Sequence, residues 1–286
     1  MGALADGALP LARSHADRWK LASHPRDHPG WRHSQYNQDC IVMALLQFKR
    51  DGFYVDLAAN KAIDTSNTRA LERDFGWRGV CIEPNPMYHR ELLAHRNCTV
   101  IPAAVSNHEG AVRFRFNGAF GGLARNTSAG DQAGTSEVQS VSFRSLARRL
   151  AMPTTIDLLS LDVEGAETMV LESFPYNSHT IRVATIEVHT TPLAAVEARL
   201  APHGYSCLCV TRIPVVGDAI FVHASTMRES SPIVAQVLRA TKNGTACPSC
   251  HQVIPANITS PDGLHRQLTW EPPCWTRAKR MGTFAL

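Results

Sequence analysis

Short apolar runs that end in or contain a carboxylate recur along this chain: FYVDLA (Phe53–Ala58), GVCIE (Gly79–Glu83), IDLLSLD (Ile156–Asp162) and VATIEVH (Val183–His189). Runs of this length, bounded by turn-forming residues, have the form of strands buried on both faces of a parallel sheet. Segments of helical spacing lie between them. One is expected from about Asp64 to Phe75, ended by Gly76, another over Tyr88–His95, and others over Ala166–Phe174 and Leu193–Leu200. TVIPAAV (Thr99–Val105) reads as a third strand, and YSCLCV (Tyr205–Val210) with DAIFVH (Asp218–His223) as a closing hairpin. This β-α-β order predicts an α/β chain with a doubly wound sheet of about seven strands.

Around that series the pattern weakens. Residues 1–33 are rich in His, Pro, Arg and Asp and carry no hydrophobic period, so they read as a flexible leader. Tyr36–Phe48 has helical spacing through Cys40, Ile41, Ala44, Leu45 and Phe48, with Asn37 or Ser34 as N-cap. AVRFRF (Ala111–Phe116) alternates and is expected to be half-buried and antiparallel, and SVSFRSLARRL leads from a strand end into a helix. Gly118–Gly134 between them is a long loop of the kind that forms lids or inserts. After Ser225 only one short helix, around Ile233–Leu238, stands out. The chain therefore divides into a leader (1–33), a main α/β domain (34–224) and a tail containing Cys and Pro (225–286).

Composition excludes more than it selects. With 286 residues, 44% hydrophobic and 19% charged, the chain is an ordinary globular one. A formal charge of +4 without basic runs interleaved with aromatics gives no nucleic-acid surface. No stretch reaches the ~20 apolar residues that span a bilayer. The N-terminal residues lack the basic and apolar regions of a signal peptide.

In an open parallel sheet, ligands bind beyond the carboxyl ends of the strands, where the strand order switches. Asp56, Glu83, Asp162 and Glu187 all fall at such ends. A carboxylate closing a buried strand is costly unless something uses it. Glu83 lies about 25 residues after the first turn, near the roughly 20 expected of an acid that grips a ribose. The bland alternative makes it a helix N-cap, a role Asn85 can fill instead. The first turn, Ala58-Ala59-Asn60-Lys61, has no glycine, so a pyrophosphate cannot approach its backbone closely and NAD or FAD is disfavoured. A nucleoside without phosphate, such as S-adenosylmethionine, suits both features.

Taken together, SQYNQD (34–39), FYVDLAANKAIDTSNT (53–68), RGVCIEPNP (78–86), PAAVS (102–106) and IDLLSLDVEGAE (156–167) resemble the FkbM-type methyltransferases over about Ser34 to His223, roughly two-thirds of the chain. The resemblance implies a Rossmann-like class I methyltransferase fold: a seven-stranded, mostly parallel sheet with helices on both faces and an antiparallel final strand. It further implies S-adenosylmethionine as methyl donor and a hydroxyl acceptor, often on a sugar. Carried over by position, Asp56 and Asn60 would hold the donor's amino-acid end with Ser66 and Asn67 nearby. Glu83 and Asn85 would bind ribose, Ala104 would border adenine, and Asp162, supported by Glu164, would face the methyl group. Family members usually read V-D-V-G-A-N, so Ala58 replaces a glycine; at positive φ this strains the turn by ~1 kcal/mol or more.

For the chemistry, Asp162 is the expected general base, His189 its competitor, and Glu187 a further candidate at the same rim. No metal is assigned; a divalent ion on Asp162 and Glu187 is the alternative. The leading function is thus O-methylation of a small-molecule or glycan acceptor, with no nucleic-acid partner. A non-catalytic binding protein and, less favoured, a nicotinamide oxidoreductase are its rivals.

The eight cysteines fall into two sets. Cys40, Cys81, Cys98, Cys207 and Cys209 lie in or beside apolar runs and read as buried free thiols. Cys247, Cys250 and Cys274 lie in the tail. C-P-S-C-H (Cys247–His251) matches a haem-attachment pattern but lacks a secretion signal and a second axial ligand. Zinc, with His251 or His265 as fourth ligand, and disulfide bonding both fit better. Sequons at Asn97, Asn126, Asn243 and Asn257 favour a secretory lumen, whereas the missing signal favours the cytoplasm.

Overall fold

A computed structural model describes residues 33–124, 134–211 and 217–240. The central sheet has seven strands: β1 (Phe53–Leu57), β2 (Arg78–Ile82), β3 (Thr99–Ile101), β8 (Thr155–Leu161), β9 (Thr180–Glu187), β10 (Tyr205–Val210) and β11 (Asp218–His223). Their order is β10-β11-β9-β8-β1-β2-β3, and β11 alone runs against the rest, antiparallel to both β9 and β10. From β1 the chain winds outward through β2 to β3, then returns to β8 and winds the other way. Right-handed crossovers therefore place α2 (Arg69–Phe75) and α3 (Pro86–His95) on one face, and α5 (Glu167–Glu172) on the other. The reversal between β1 and β8 is the switch point, and the carboxyl ends of these strands bound the site.

The strands are continuous apolar runs because both faces are covered. Leu57, Ile82, Leu159, Leu161, Ile186 and Phe221 join one buried cluster with Val170 and Phe174. Gly76 ends α2 in the left-handed region, at φ 70°, where an L side chain would be strained. Asn85 caps α3, its side chain accepting from Met87 N at 3.1 Å.

Three expectations are corrected. Thr99–Val105 is not one strand: Pro102 has no N–H to continue a ladder, and the chain leaves the main sheet there. Beyond it β4 (Ala104–Ser106), β5 (Gly110–Arg115), β6 (Gly122–Leu123) and β7 (Thr135–Ser142) form a second sheet, ordered β4-β7-β5-β6. The stretch Gly118–Gly134 is thus partly structured, with a short 3-10 helix at Gly118–Phe120 and β6; residues 125–133 lie outside the described residues.

The first helix, α1 (Gln38–Leu45), is shorter than its pattern, and all eight of its residues are buried. Asn37 occupies the N-cap position without a capping bond, at φ 65°; Ser34 Oγ instead accepts from Asp39 N at 3.3 Å.

The third correction concerns the thiols. Cys81 and Cys98 form a disulfide with Cα atoms 5.8 Å apart, Cys40 and Cys209 are also disulfide-bonded, and Cys207 is free. An apolar neighbourhood suits a thiol and a disulfide half equally. What decides is proximity, set here by pairing of Cys81 with Val100 across β2 and β3.

The segment read as a tail begins with two helices, α7 (Ala224–Glu229) and α8 (Ser231–Ala240). Ser230 Oγ donates to the Leu45 carbonyl of α1, and Gln47 Nε2 to the Glu229 carbonyl at 3.1 Å. Cys247, Cys250, His251, His265 and Cys274, with the haem and zinc readings, lie outside the described residues, as do residues 1–32 of the leader and the sequons at Asn126, Asn243 and Asn257.

Candidate active site

Three neighbouring groups of side chains sit at the carboxyl ends of β2, β1, β8 and β9. The first lines a cleft of about 510 Å³, its open mouth included, walled by Leu57, Ala58, Asn60, Ile82, Glu83, Asn85, Tyr88 and Ala104 and roofed by Gly118, Ala119, Gly121 and Leu123. Glu83 is 4% exposed. Its Oε2 accepts from Asn60 N at 2.8 Å and its Oε1 from Asn85 N at 2.7 Å, so each oxygen keeps a lone pair for a ligand. Burial raises its pKa to about 7, against the pull of those two N–H groups. Asn85 itself is committed to capping α3, so Glu83 and not Asn85 presents the open acceptor.

Ala58 and Asn60 both sit in the left-handed region, at φ 57° and 51°. The turn keeps the backbone shape that glycine would take more easily, held by Ala59 N donating to the Ile82 carbonyl at 3.2 Å. The buried side-chain oxygens of Asn60 and Asn67 accept no hydrogen bond within the protein. Carboxylate and amide oxygens here offer acceptors to a ligand that brings donors.

The second group surrounds Asp56 on β1. Thr68 Oγ1 donates to Asp56 Oδ2 at 2.5 Å, Ser160 on β8 bonds to it as well, and Asn67 Nδ2 donates to Ser160 Oγ at 3.1 Å. Burial raises the Asp56 pKa, while Arg96, Thr68 and Ser160 oppose the rise. Ser66 does not face the cleft: its Oγ accepts from Arg69 N at 3.2 Å and Arg96 Nη1 at 3.1 Å.

The third group is acidic. In register, β8 and β9 place Ser160 beside Thr185, which brings Asp162, just past β8, level with Glu187 at the end of β9. Carboxylate oxygens of Asp162, Glu164 and Glu187 lie within 4.8 Å of one another. The ends of β8 and β9 therefore bring these carboxylates close enough to act together. The Asp162 carboxyl group is hemmed in by protein, although the residue keeps accessible surface. Loss of water and then repulsion from Glu187, Asp218 and Glu164 hold its pKa well above the usual carboxylate range. Glu187, buried and facing Glu164 and Glu167, is raised to about 8; Asp162 and Glu187 titrate as a pair. Glu167 holds the intervening turn, accepting from Val163 N and Gly165 N at 3.1 Å each and from the Thr191 hydroxyl.

His189 is exposed and lies two residues beyond β9; its charge acts on Glu164. Sequence reasoning missed Asp218, which pairs with Glu187 and accepts from Gln38 Nε2 at 2.6 Å, and Tyr36, whose pKa is raised by burial and by Asp218 and Asp162. Both had a signal: Gln38 and Tyr36 lie in SQYNQD, and Asp218 opens an apolar run.

Residues 56–207 match the methyltransferase FkbM domain. The chain belongs to this family. Its fold is the Rossmann-like α/β fold of such methyltransferases, and it is a methyltransferase by family. Among solved structures it is similar to precorrin-6y C5,15-methyltransferase from Geobacter metallireducens GS-15, at 13% identity over 68% of this chain and 92% of that one, with a TM-score of 0.38. It is also similar to the METTL16 methyltransferase domain, at 12% identity over 65% and 66% of the two chains, with a TM-score of 0.37. Among curated proteins none matches it. Among the described residues no helix is long and apolar enough to cross a membrane.

Proposed function

We propose that this FkbM-family methyltransferase uses S-adenosylmethionine to methylate a hydroxyl of a small polar acceptor, a sugar or glycan being the best fit. The observation that carries the reading is the set of open acceptors in the cleft: the buried Glu83 carboxylate and the unpartnered Asn60 oxygen offer themselves to a ligand with donors, with the unpartnered Asn67 oxygen in the neighbouring Asp56 group. Ribose hydroxyls and an ammonium group supply donors, and a pyrophosphate does not. With the glycine-free turn at Ala58, this disfavours a nicotinamide enzyme.

The donor supplies an electrophilic methyl group on a sulfonium, so the protein's work is alignment and removal of one proton. Glu83 takes the ribose, Ala104 borders the adenine, and Asp56 with Asn60 receives the amino-acid end. Asp162 and Glu187 face the acceptor. As the acceptor oxygen bonds to the methyl carbon, the carbon–sulfur bond breaks with its electron pair left on sulfur, and the hydroxyl proton passes to this carboxylate pair. Carboxylates with raised proton affinity are bases of suitable strength near neutral pH. His189, exposed beyond the strand, is the weaker candidate.

A second reading has its own observation: oxygens within 4.8 Å on Asp162, Glu164 and Glu187 fit a divalent cation that would orient a diol. The same acidic rim repels a phosphodiester backbone, which supports an acceptor other than nucleic acid. Disulfides at four cysteines support an oxidising compartment such as the secretory lumen. The test is transfer of labelled methyl from S-adenosylmethionine to a panel of sugars and polyols, with and without chelator. Label on a hydroxyl is the expected result; binding of the donor without transfer to any panel member would favour a non-catalytic binding protein.

A further inference from the structure

Arg96 follows α3 and has no counterpart among the strand-end residues, yet its side chain is 0% exposed. Its guanidinium donates to Glu72 Oε2 at 3.0 Å and Oε1 at 3.2 Å, to Tyr54 OH and Ser66 Oγ at 3.1 Å, and to Thr68 Oγ1 at 2.5 Å. The segment is fixed around it: Asn97 N donates to Glu72 Oε2 at 3.1 Å, and Cys98 is tied to Cys81 on β2. A buried ion pair by itself is weak evidence of stability, since apolar residues of similar volume often do as well. The bonds to Ser66 and Thr68 are the informative ones, because those hydroxyls belong to the loop between the first turn and α2.

We infer that Arg96 is a positioning residue for the donor site: through Thr68 it keeps Asp56 an anion open to a positively charged ligand group. A guanidinium has donors only, so Thr68 Oγ1 must accept from it. The one proton of that hydroxyl then has to point at Asp56 Oδ2, 2.5 Å away. A hydrogen bond accepted at that oxygen favours the ionised carboxylate over the protonated acid. The groups facing Asp56 are Tyr54 on β1, Thr68 and Glu72 from α2 and its approach, Glu83 after β2, Ser160 on β8 and Arg96 after α3; Arg69 nearby turns its guanidinium to the His95 carbonyl. Glu72 and Glu83 oppose a second negative charge here, and Arg96 offsets them.

The inference rests on the donor reading above and is tested separately from it. Calorimetry with S-adenosylhomocysteine, across about pH 6 to 8.5, is run on the wild type, on Thr68→Val and on the paired change Arg96→Met with Glu72→Gln, which removes both charges of the buried ion pair together. Thr68→Val keeps the Arg96–Glu72 pair and cuts only the relay, so it carries the test if the paired variant fails to fold. Affinity about tenfold weaker near neutral pH, recovering as the pH rises, is expected, because Asp56 would then need more alkaline conditions to ionise. A folded Thr68→Val protein with wild-type affinity and pH profile overturns the role of Arg96, as does a loss equal at every pH. A wild type that does not bind the ligand at all overturns the donor reading itself, and this inference with it.

Discussion

Replacing Glu83 with glutamine changes one oxygen into an NH2 group and leaves the shape intact, so its effects can be worked from the two hydrogen bonds the carboxylate accepts. The amide can accept from Asn60 N or from Asn85 N but not both, leaving one buried N–H opposed by a donor. An orphaned buried donor costs about 1–3 kcal/mol. Against this stands the burial of the wild-type charge. A carboxyl whose pKa rises from 4.5 to about 7 is favoured by the fold when protonated, and that advantage is lost as the pH climbs through about 7. At pH values above it, the buried charge disfavours the wild-type fold by roughly 3 kcal/mol. The two terms are of similar size near pH 8, and the first dominates near pH 5. Wild type and Glu83→Gln should therefore melt close together near pH 8, while near pH 5 the variant should melt lower by several degrees, at about 2–4 °C per kcal/mol.

Ligand binding follows a different curve. The ionised carboxylate is the form that can accept from both ribose hydroxyls, so wild-type affinity for S-adenosylhomocysteine should fall as the pH drops through about 7. Loss of a charge-assisted bond worth about 1.5–3 kcal/mol should weaken the variant roughly 10- to 150-fold near pH 8 and remove that pH step. Calorimetry and thermal melts at the two pH values check both. A Glu83→Gln protein that binds as tightly as wild type, with the same pH step, would refute the reasoning.

Three further outcomes are expected. Ala58→Gly should relieve about 1–2 kcal/mol of left-handed strain at φ 57°, offset by about 0.5–1 kcal/mol of chain entropy, for a melting temperature unchanged or raised by a few degrees. A drop of several degrees would show that the turn does not strain alanine. Asp162→Ala should abolish transfer while donor affinity stays within about tenfold, and the wild-type rate should rise with pH through about 8 as the Asp162–Glu187 pair loses its proton. Steady-state turnover and its pH profile decide this, unchanged turnover being the contrary result. A methyl group at Gly122 would lie 3.1 Å from the Glu164 carbonyl oxygen, so Gly122→Ala should shift β6 off that turn and weaken substrate binding several-fold, read as a higher KM. Unchanged kinetics would show that the β6 roof does not shape the site.

Much of the sheet was legible because buried parallel strands leave continuous apolar runs: Leu193–Leu200, Tyr205–Val210 and Asp218–His223 form the helix and two strands expected of them. The positions of Asp56, Glu83, Asp162 and Glu187 followed from the same runs. What stayed hidden depended on contacts between distant segments. Pro102 turns the chain into a second sheet, whose short β4 and β6 carry too few residues for a period to show. Asp162 and Glu187 meet only through the β8–β9 register, and Glu164 joins them through a left-handed turn at φ 54°. Arg96 left no trace, because an arginine after a helix is ordinarily a solvated charge. The disulfide at Cys81 needed the β2–β3 pairing to bring Cys98 within reach.

The most direct test of the account is a crystal structure of the protein with S-adenosylhomocysteine. Both ribose hydroxyls are predicted within about 3 Å of the Glu83 carboxylate, with the sulfur on the side of Asp162. A ligand seated elsewhere, or in the cleft with its ribose turned away from Glu83, would contradict the account.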